Sequence, residues 1–258
     1  MLRKDELVKI AEIKKLPIFN AERDYVLEVI LFALYTNIKN ELIFKGGTAM
    51  YKVYHLNRFS EDLDFTLTKH RQALPQILHK VIKQLSGIDL FIRIKETKEF
   101  RQQINVYLEC KGPLYNGSKD SLIFIPLNIS LREKVQHFAL EMLFSSYREI
   151  PSFEVYVMKE IEIAAEKVRA ILSRDKAGDV YDLWFLLKKG VPLEEGLVAK
   201  KLKIVGKHFN QKEILAAIAA KEKMWEMDLQ KLILGNLPPF PKVQQELTFL
   251  IKKSAGDD

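Results

Sequence analysis

Residues 44–65 read FKGGTAMYKVYHLNRFSEDLDF, and this stretch decides what the rest of the chain must build. Leu42-Ile43-Phe44 is a short apolar run that meets Gly46-Gly47, after which Thr48 to Tyr54 reads as a short helix capped by the threonine. Two glycines ahead of a helix let backbone N–H groups turn toward a ligand. The helix N-terminus adds partial positive charge, so a triphosphate can rest there. A tight turn with a threonine cap would explain the same residues. Residues 62–68 change the balance. Leu63, Phe65 and Leu67 alternate with Asp62, Asp64, Thr66 and Thr68, giving a strand with one apolar and one polar face, both aspartates on the polar one. Neighbouring carboxylates repel and aspartate is a poor strand former, so the placement suits a shared divalent cation whose other ligands are phosphates and water. Lys45, Gly46, Gly47, Thr48, Arg58 and Ser60 are the nucleotide-binding candidates around that pair.

A second informative stretch, residues 166–183, reads EKVRAILSRDKAGDVYDL. Ile163, Lys167 and Ile171 are four apart and lie in one helical row, which sets a lysine among apolar neighbours. Asp179 and Asp182, three apart on the next helix, share a face. The lysine either reaches a nucleotide phosphate or forms a buried salt bridge that joins the two helices.

Taken in order, Gly46-Gly47-Thr48, the run Arg58 to Phe65, and Lys167 with Gly178-Asp179-Val180-Tyr181-Asp182-Leu183 resemble the nucleotidyltransferase AbiEii/AbiGii toxin family, a branch of the polymerase β-like superfamily. The similarity extends over roughly residues 20–250. The resemblance implies an α+β fold: a polymerase β-like nucleotidyltransferase core with a mixed sheet over 1–150, then an all-helical part, 151–258, that completes the active-site cleft. It also implies Mg²⁺ on Asp62 and Asp64, an NTP substrate, and Lys167 on the nucleotide with Asp179 and Asp182 orienting the site. The reaction would transfer NMP to an acceptor, RNA and in particular the 3′ end of tRNA. The setting would be a toxin–antitoxin or phage-defence pair with a cognate antitoxin protein.

Two positions depart from the family pattern. Gly178 stands where an arginine is usual, so that charge is absent or comes from Arg174. In Ile125-Pro126-Leu127-Asn128-Ile129-Ser130, an asparagine holds the place of a third carboxylate, and asparagine cannot take a proton. The expectation is one bound Mg²⁺ with substrate-assisted or water-relayed deprotonation, or reduced activity. The alternatives are a nucleotide- or RNA-binding protein with weakened catalysis, or a γ-phosphoryl transferase.

Outside the motifs, helical spacing predicts a helix over about 21–37 and another over 75–85. Alternation predicts strands at Ile104–Leu108 and Ile123–Ile129, antiparallel neighbours around Asn116-Gly117. After Pro151-Ser152 the spacing of Val155, Met158, Ile161, Ala165, Val168 and Leu172 predicts helix throughout, with Pro238-Pro239 separating the last two helices. Lys200, Lys201, Lys203, Lys207 and His208 form a basic cluster, read as a solvated helix face or an RNA contact.

The chain has 258 residues, 48% hydrophobic, which excludes disorder as its main state. Lys plus Arg number 41 against 34 Asp plus Glu, a net charge of +7 that suits polyanions and is spread along the chain. One cysteine, Cys110, excludes an internal disulfide, and no His/Cys spacing suggests structural zinc. The charged N-terminus and short apolar runs indicate a cytoplasmic protein with no membrane contact.

Overall fold

The computed structural model describes residues 2–87, 90–132 and 134–254. They form two compact units, one of Met1–Val53 with Ser60–Val157, the other of Tyr54–Phe59 with Met158–Asp258.

The first unit contains helices α1 (Lys4–Lys14) and α2 (Ile18–Tyr35), strand β1 (Leu42–Lys45), helix α3 (Gly46–Val53), strand β2 (Leu63–Leu67) and helix α4 (Leu74–Leu85). Strands β3 (Phe91–Glu99), β4 (Gln103–Lys111), β5 (Ile123–Ser130), β6 (Phe138–Leu143) and β7 (Phe153–Met158) come next. They make a seven-stranded sheet in the order β3-β4-β5-β2-β1-β7-β6. It is mixed: β1 runs antiparallel to β2 and parallel to β7, β2 parallel to β5, and β4 antiparallel to both β3 and β5. The β1–α3–β2 succession places the glycine pair at the end of a central strand.

β4 and β5 are antiparallel neighbours, as the Asn116-Gly117 turn signal requires. Three strands are additions to the sequence reading. β3 and β6 are edge strands with weak alternation. β7 contradicts the expectation of helix throughout after Pro151-Ser152: its burial alternates between Phe153, Val155 and Val157 and the residues between them. Val155 and Met158 fit the helical spacing of the residues after them by coincidence, and the helix itself begins at Glu160. The helix of the glycine motif also starts earlier than expected. α3 begins at Gly46, and Thr48 Oγ donates to the carbonyl of Asp62, 2.5 Å away, instead of capping the helix.

The second unit is helical: α5 (Glu160–Ser173), α6 (Ala177–Lys188), α7 (Glu195–Lys203), α8 (Gln211–Ala219), α9 (Trp225–Leu229) and α10 (Phe240–Ser254). Segment 54–59 is stitched into it. The amide of Phe59 donates to the Leu232 carbonyl at 2.7 Å, and the amide of Leu234 to the Asn57 carbonyl at 2.8 Å. Tyr181, Trp225 and Phe240 pack ring against ring in its core. Lys201, one of the basic cluster, is buried on Glu162 at 2.6 Å, so the cluster is not wholly a solvated face. No helix among the described residues is long and apolar enough to cross a membrane.

Charge is also buried beneath α3. Lys52 of α3 lies 2.7 Å from Asp24 and 2.6 Å from Glu28, both on α2. Lys14 of α1 and the Tyr147 hydroxyl reach the same Asp24 at 2.6 and 2.7 Å. Burial would raise the carboxyl of Asp24, but Lys52 and Lys14 hold it down to about 2. A depressed carboxyl stabilises the fold above its ordinary value and loses that contribution as pH falls through the depressed one. Urea unfolding should therefore show stability declining as pH drops from about 3.8 toward 2. Lys52→Met, which takes the lysine from buried Glu28 and leaves Asp24 with Lys14 as its remaining cation, should lower stability by about 3–5 kcal/mol at neutral pH. Its deficit should narrow on acidification, as those carboxylates take up protons.

Candidate functional site

The register of the central strands sets four polar residues in a row. Lys45 of β1 faces Asp64 of β2, Asp64 faces Asn128 of β5, and Asn128 faces Asn105 of β4. Directly opposed residues share a sheet face, so the row lies along one side. It is held laterally: the Asn128 side-chain amide donates to Asp64 Oδ1 at 3.1 Å, and the Gln103 amide donates to Asn105 Oδ1 at 2.6 Å. The expected displacement of a third carboxylate by Asn128 thus has a definite geometry. The amide sits beside Asp64 and fixes one of its oxygens.

Gly46 presses on the other oxygen. A Cβ built at position 46 would lie 2.3 Å from Asp64 Oδ2 and 2.9 Å from Asp64 Cβ, and the backbone there has φ of +76°. Glycine is required on both counts. The consequence is that the first turn of α3, with N–H groups that have no partner inside the helix, opens beside the carboxylate. Asp62 is half-buried, one residue ahead of β2, and its carbonyl is tied to Thr48. Ser60 is half-buried at the start of the segment that leads into the strand.

Asp62 and Asp64 offer hard oxygen donors, and among the described residues no group of three or more His, Cys, Asp or Glu is placed to hold a metal. That donor set does not fit a closed zinc or calcium site. It fits Mg²⁺, which commonly uses one or two carboxylates and completes its octahedron with phosphate oxygens and water.

The helical unit gathers the other candidates. Lys167 Nζ lies 2.9 Å from Asp179 and 2.6 Å from Asp182. Arg58 grips Asp182 with two bonds, Nε to Oδ1 at 2.9 Å and a terminal nitrogen to Oδ2 at 2.8 Å, and its remaining nitrogen donates to the Phe59 carbonyl at 3.1 Å. Arg174 makes the matching pair on Asp179, at 2.7 and 2.9 Å. Three cations thus surround two anions, and all but Arg174 are buried. Burial works against every charge in the cluster. For Asp179, Lys167 and Arg174 reverse that and keep the carboxyl well below the usual range; for Asp182, Arg58 and Lys167 do so. The same carboxylates raise Lys167 above its ordinary value, which keeps it protonated.

Arg58, grouped with the nucleotide-binding residues in the sequence, is therefore placed by the structure on Asp182. Arg174 is the arginine that serves Asp179 where Gly178 leaves none, and a Cβ at Gly178 would stand 3.6 Å from the Arg58 guanidinium carbon. The Asn105 partner of the polar row had a sequence signal, a polar residue on the polar face of a strand, that acquires meaning only with the register.

A family model described as "Nucleotidyl transferase AbiEii toxin, Type IV TA system" matches residues 30–247. An uncharacterized protein of Aquifex aeolicus (strain VF5) is 28% identical over 192 residues, 73% of this chain and 80% of that protein. Among solved structures, MenT4, a nucleotidyltransferase toxin from Mycobacterium tuberculosis H37Rv, superposes with a TM-score of 0.69 at 19% identity, covering 100% of this chain and 94% of its own. JHP933 from Helicobacter pylori gives 0.57 at 22% identity, with 94% of each chain covered. These two establish a shared α+β fold with a mixed sheet.

Gly46→Ala should displace Asp64 and the first turn of α3 together. We expect NTP binding, measured by calorimetry, to weaken and nucleotide transfer to fall by about 100-fold. Gly196→Ala, whose Cβ meets nothing within 4 Å, should leave both unchanged.

Proposed function

This chain belongs to the AbiEii nucleotidyltransferase toxin family, of type IV toxin–antitoxin systems, and from that membership we propose Mg²⁺-dependent transfer of a nucleoside monophosphate from an NTP to RNA, at the 3′ end of tRNA. The observation that carries this reading is the close approach of Gly46 to Asp64, which sets the start of α3 beside a carboxylate of the kind that can hold a cation. A cognate antitoxin is the partner that the family implies. The net charge of +7 supports a polyanionic acceptor.

Each residue then has a physical task. Gly46 and Gly47 present backbone N–H groups to phosphate oxygens, and Lys45 and Ser60 add polar contacts at the same strand ends. Thr48 ties the start of α3 to the approach of Asp62. Asp62 and Asp64 hold Mg²⁺, which when bound neutralises triphosphate charge and the departing pyrophosphate. The acceptor hydroxyl oxygen bonds to the α-phosphorus as the bond to the pyrophosphate oxygen breaks. The hydroxyl proton passes to water or to a phosphate oxygen, because the Asn128 amide has no site for it. In the helical unit, Asp179 and Asp182, with Arg174 and Arg58, fix the direction of the Lys167 charge.

Incubation with α- and γ-labelled NTPs, total tRNA and Mg²⁺ tests this. α-Label should enter RNA, disappear with EDTA, and fall at least about 100-fold in Asp62→Ala and Asp64→Ala. Label from γ alone would instead establish phosphoryl transfer, and NTP retention without label would establish binding only. Unchanged α-label transfer in both aspartate variants would refute the metal assignment.

A further inference from the structure

Among the described residues the sheet ends on β3 and on β6, two strands that the sequence treats in opposite ways. β3, at one end, carries Arg93, Lys95, Glu96, Lys98 and Glu99, and its pairing is interrupted by an irregularity between Ile94 and Glu96. Charge and a bulge are the usual means of preventing a strand from pairing outward. β6, at the other end, is far less charged. Its six residues, Phe138-Ala139-Leu140-Glu141-Met142-Leu143, include one charge and no proline. Phe138, Leu140 and Met142 alternate onto one face with exposures of 38%, 45% and 44%, and Phe144 continues the row at 76%. A row of large apolar side chains on an open strand edge is a surface suited to another strand.

We propose that β6 pairs antiparallel with β6 of a second copy of this chain, about a two-fold axis through Leu140, which joins the two sheets into one. The strand is complementary to itself in that register. Leu140 meets its own symmetry mate, Phe138 meets Met142, and Ala139 meets Glu141, so the three exposed apolar side chains of the strand all oppose apolar ones, with Leu143 and Phe144 at the ends opposite His137 and Gln136. Glu141 selects this register over its neighbours. Centring the pair on Glu141 keeps the apolar matches but sets two carboxylates face to face, and centring it on Ala139 leaves Met142 opposite Gln136. A strand pair of this length makes a small interface, which places the dimer in the weak, reversible class.

Sedimentation of the full chain at about 100 µM should show dimer that dissociates on dilution. Leu140→Lys and Met142→Lys should each sediment as monomer with an unchanged circular dichroism spectrum, since both positions are already exposed. For register, Leu140→Cys should form a disulfide-linked dimer on mild oxidation. Cys110 is fully buried and does not compete. Phe144→Cys should form no disulfide-linked dimer, because eight residues at ~3.3 Å each separate it from its symmetry mate by about 26 Å. A wild-type chain that stays monomeric at that concentration would overturn the proposal. So would a folded Leu140→Lys variant that still dimerises, or equal crosslinking at positions 140 and 144.

Discussion

The geometry of the strand half depends on the absence of one carbon atom. At Gly46 the chain leaves β1 with φ of +76° and enters α3 with its backbone against the side chain of Asp64. Two requirements meet there, a left-handed backbone and a Cβ position already occupied. Because Lys45 and Asp64 are register partners, the turn cannot move away without unpairing β1 from β2. The strand pair therefore places the start of a helix beside a carboxylate, and the remaining residues of the motif adjust to that. Thr48 gives up the capping role its sequence position suggests and ties the helix to Asp62 instead.

Such an arrangement needs a firm backing, because a carboxylate beside helix-terminal N–H groups has to stay in one rotamer. The backing is ionic. α3 is anchored from below by Lys52 between Asp24 and Glu28. Buried pairs of this kind add little stability over an apolar core of equal volume, but they punish any displacement, since a shifted partner leaves a charge without compensation. The helical unit uses the same device: three cations close on two carboxylates, and the bidentate grips of Arg58 and Arg174 leave Lys167 a single direction.

Much of this was readable in the chain. Gly46-Gly47, Asp64 on the polar face of β2, and the pairing of β4 with β5 are local patterns, set by turn chemistry and a period of two. Asn128 could be assigned to the place of a carboxylate, and the register sets it beside Asp64. What escaped depends on distant partners. Arg58 lies six residues from Asp64, and its sequence position says nothing of Asp182, which engages it from 124 residues away. Glu22, Asp24 and Glu28 interrupt the apolar stripe of α2 and look solvent-facing by type, yet all three are buried, two of them because Lys52 arrives from another helix. β7 was hidden because its residues satisfy two periods at once. Local chemistry is legible where one element suffices to define it; ion-pair identity belongs to the tertiary fold.

The amide at position 128 obeys the same logic of charge. A carboxylate there would stand beside Asp64 and repel it. Asparagine removes that repulsion and contributes a donor, so Asp64 is held by Asn128 on one oxygen and confined by Gly46 at the other. The exchange sacrifices a proton acceptor for a carboxylate of fixed orientation. In the proposed reaction such a site would act by placing the triphosphate and its cation, and would leave deprotonation of the acceptor to the substrate and solvent.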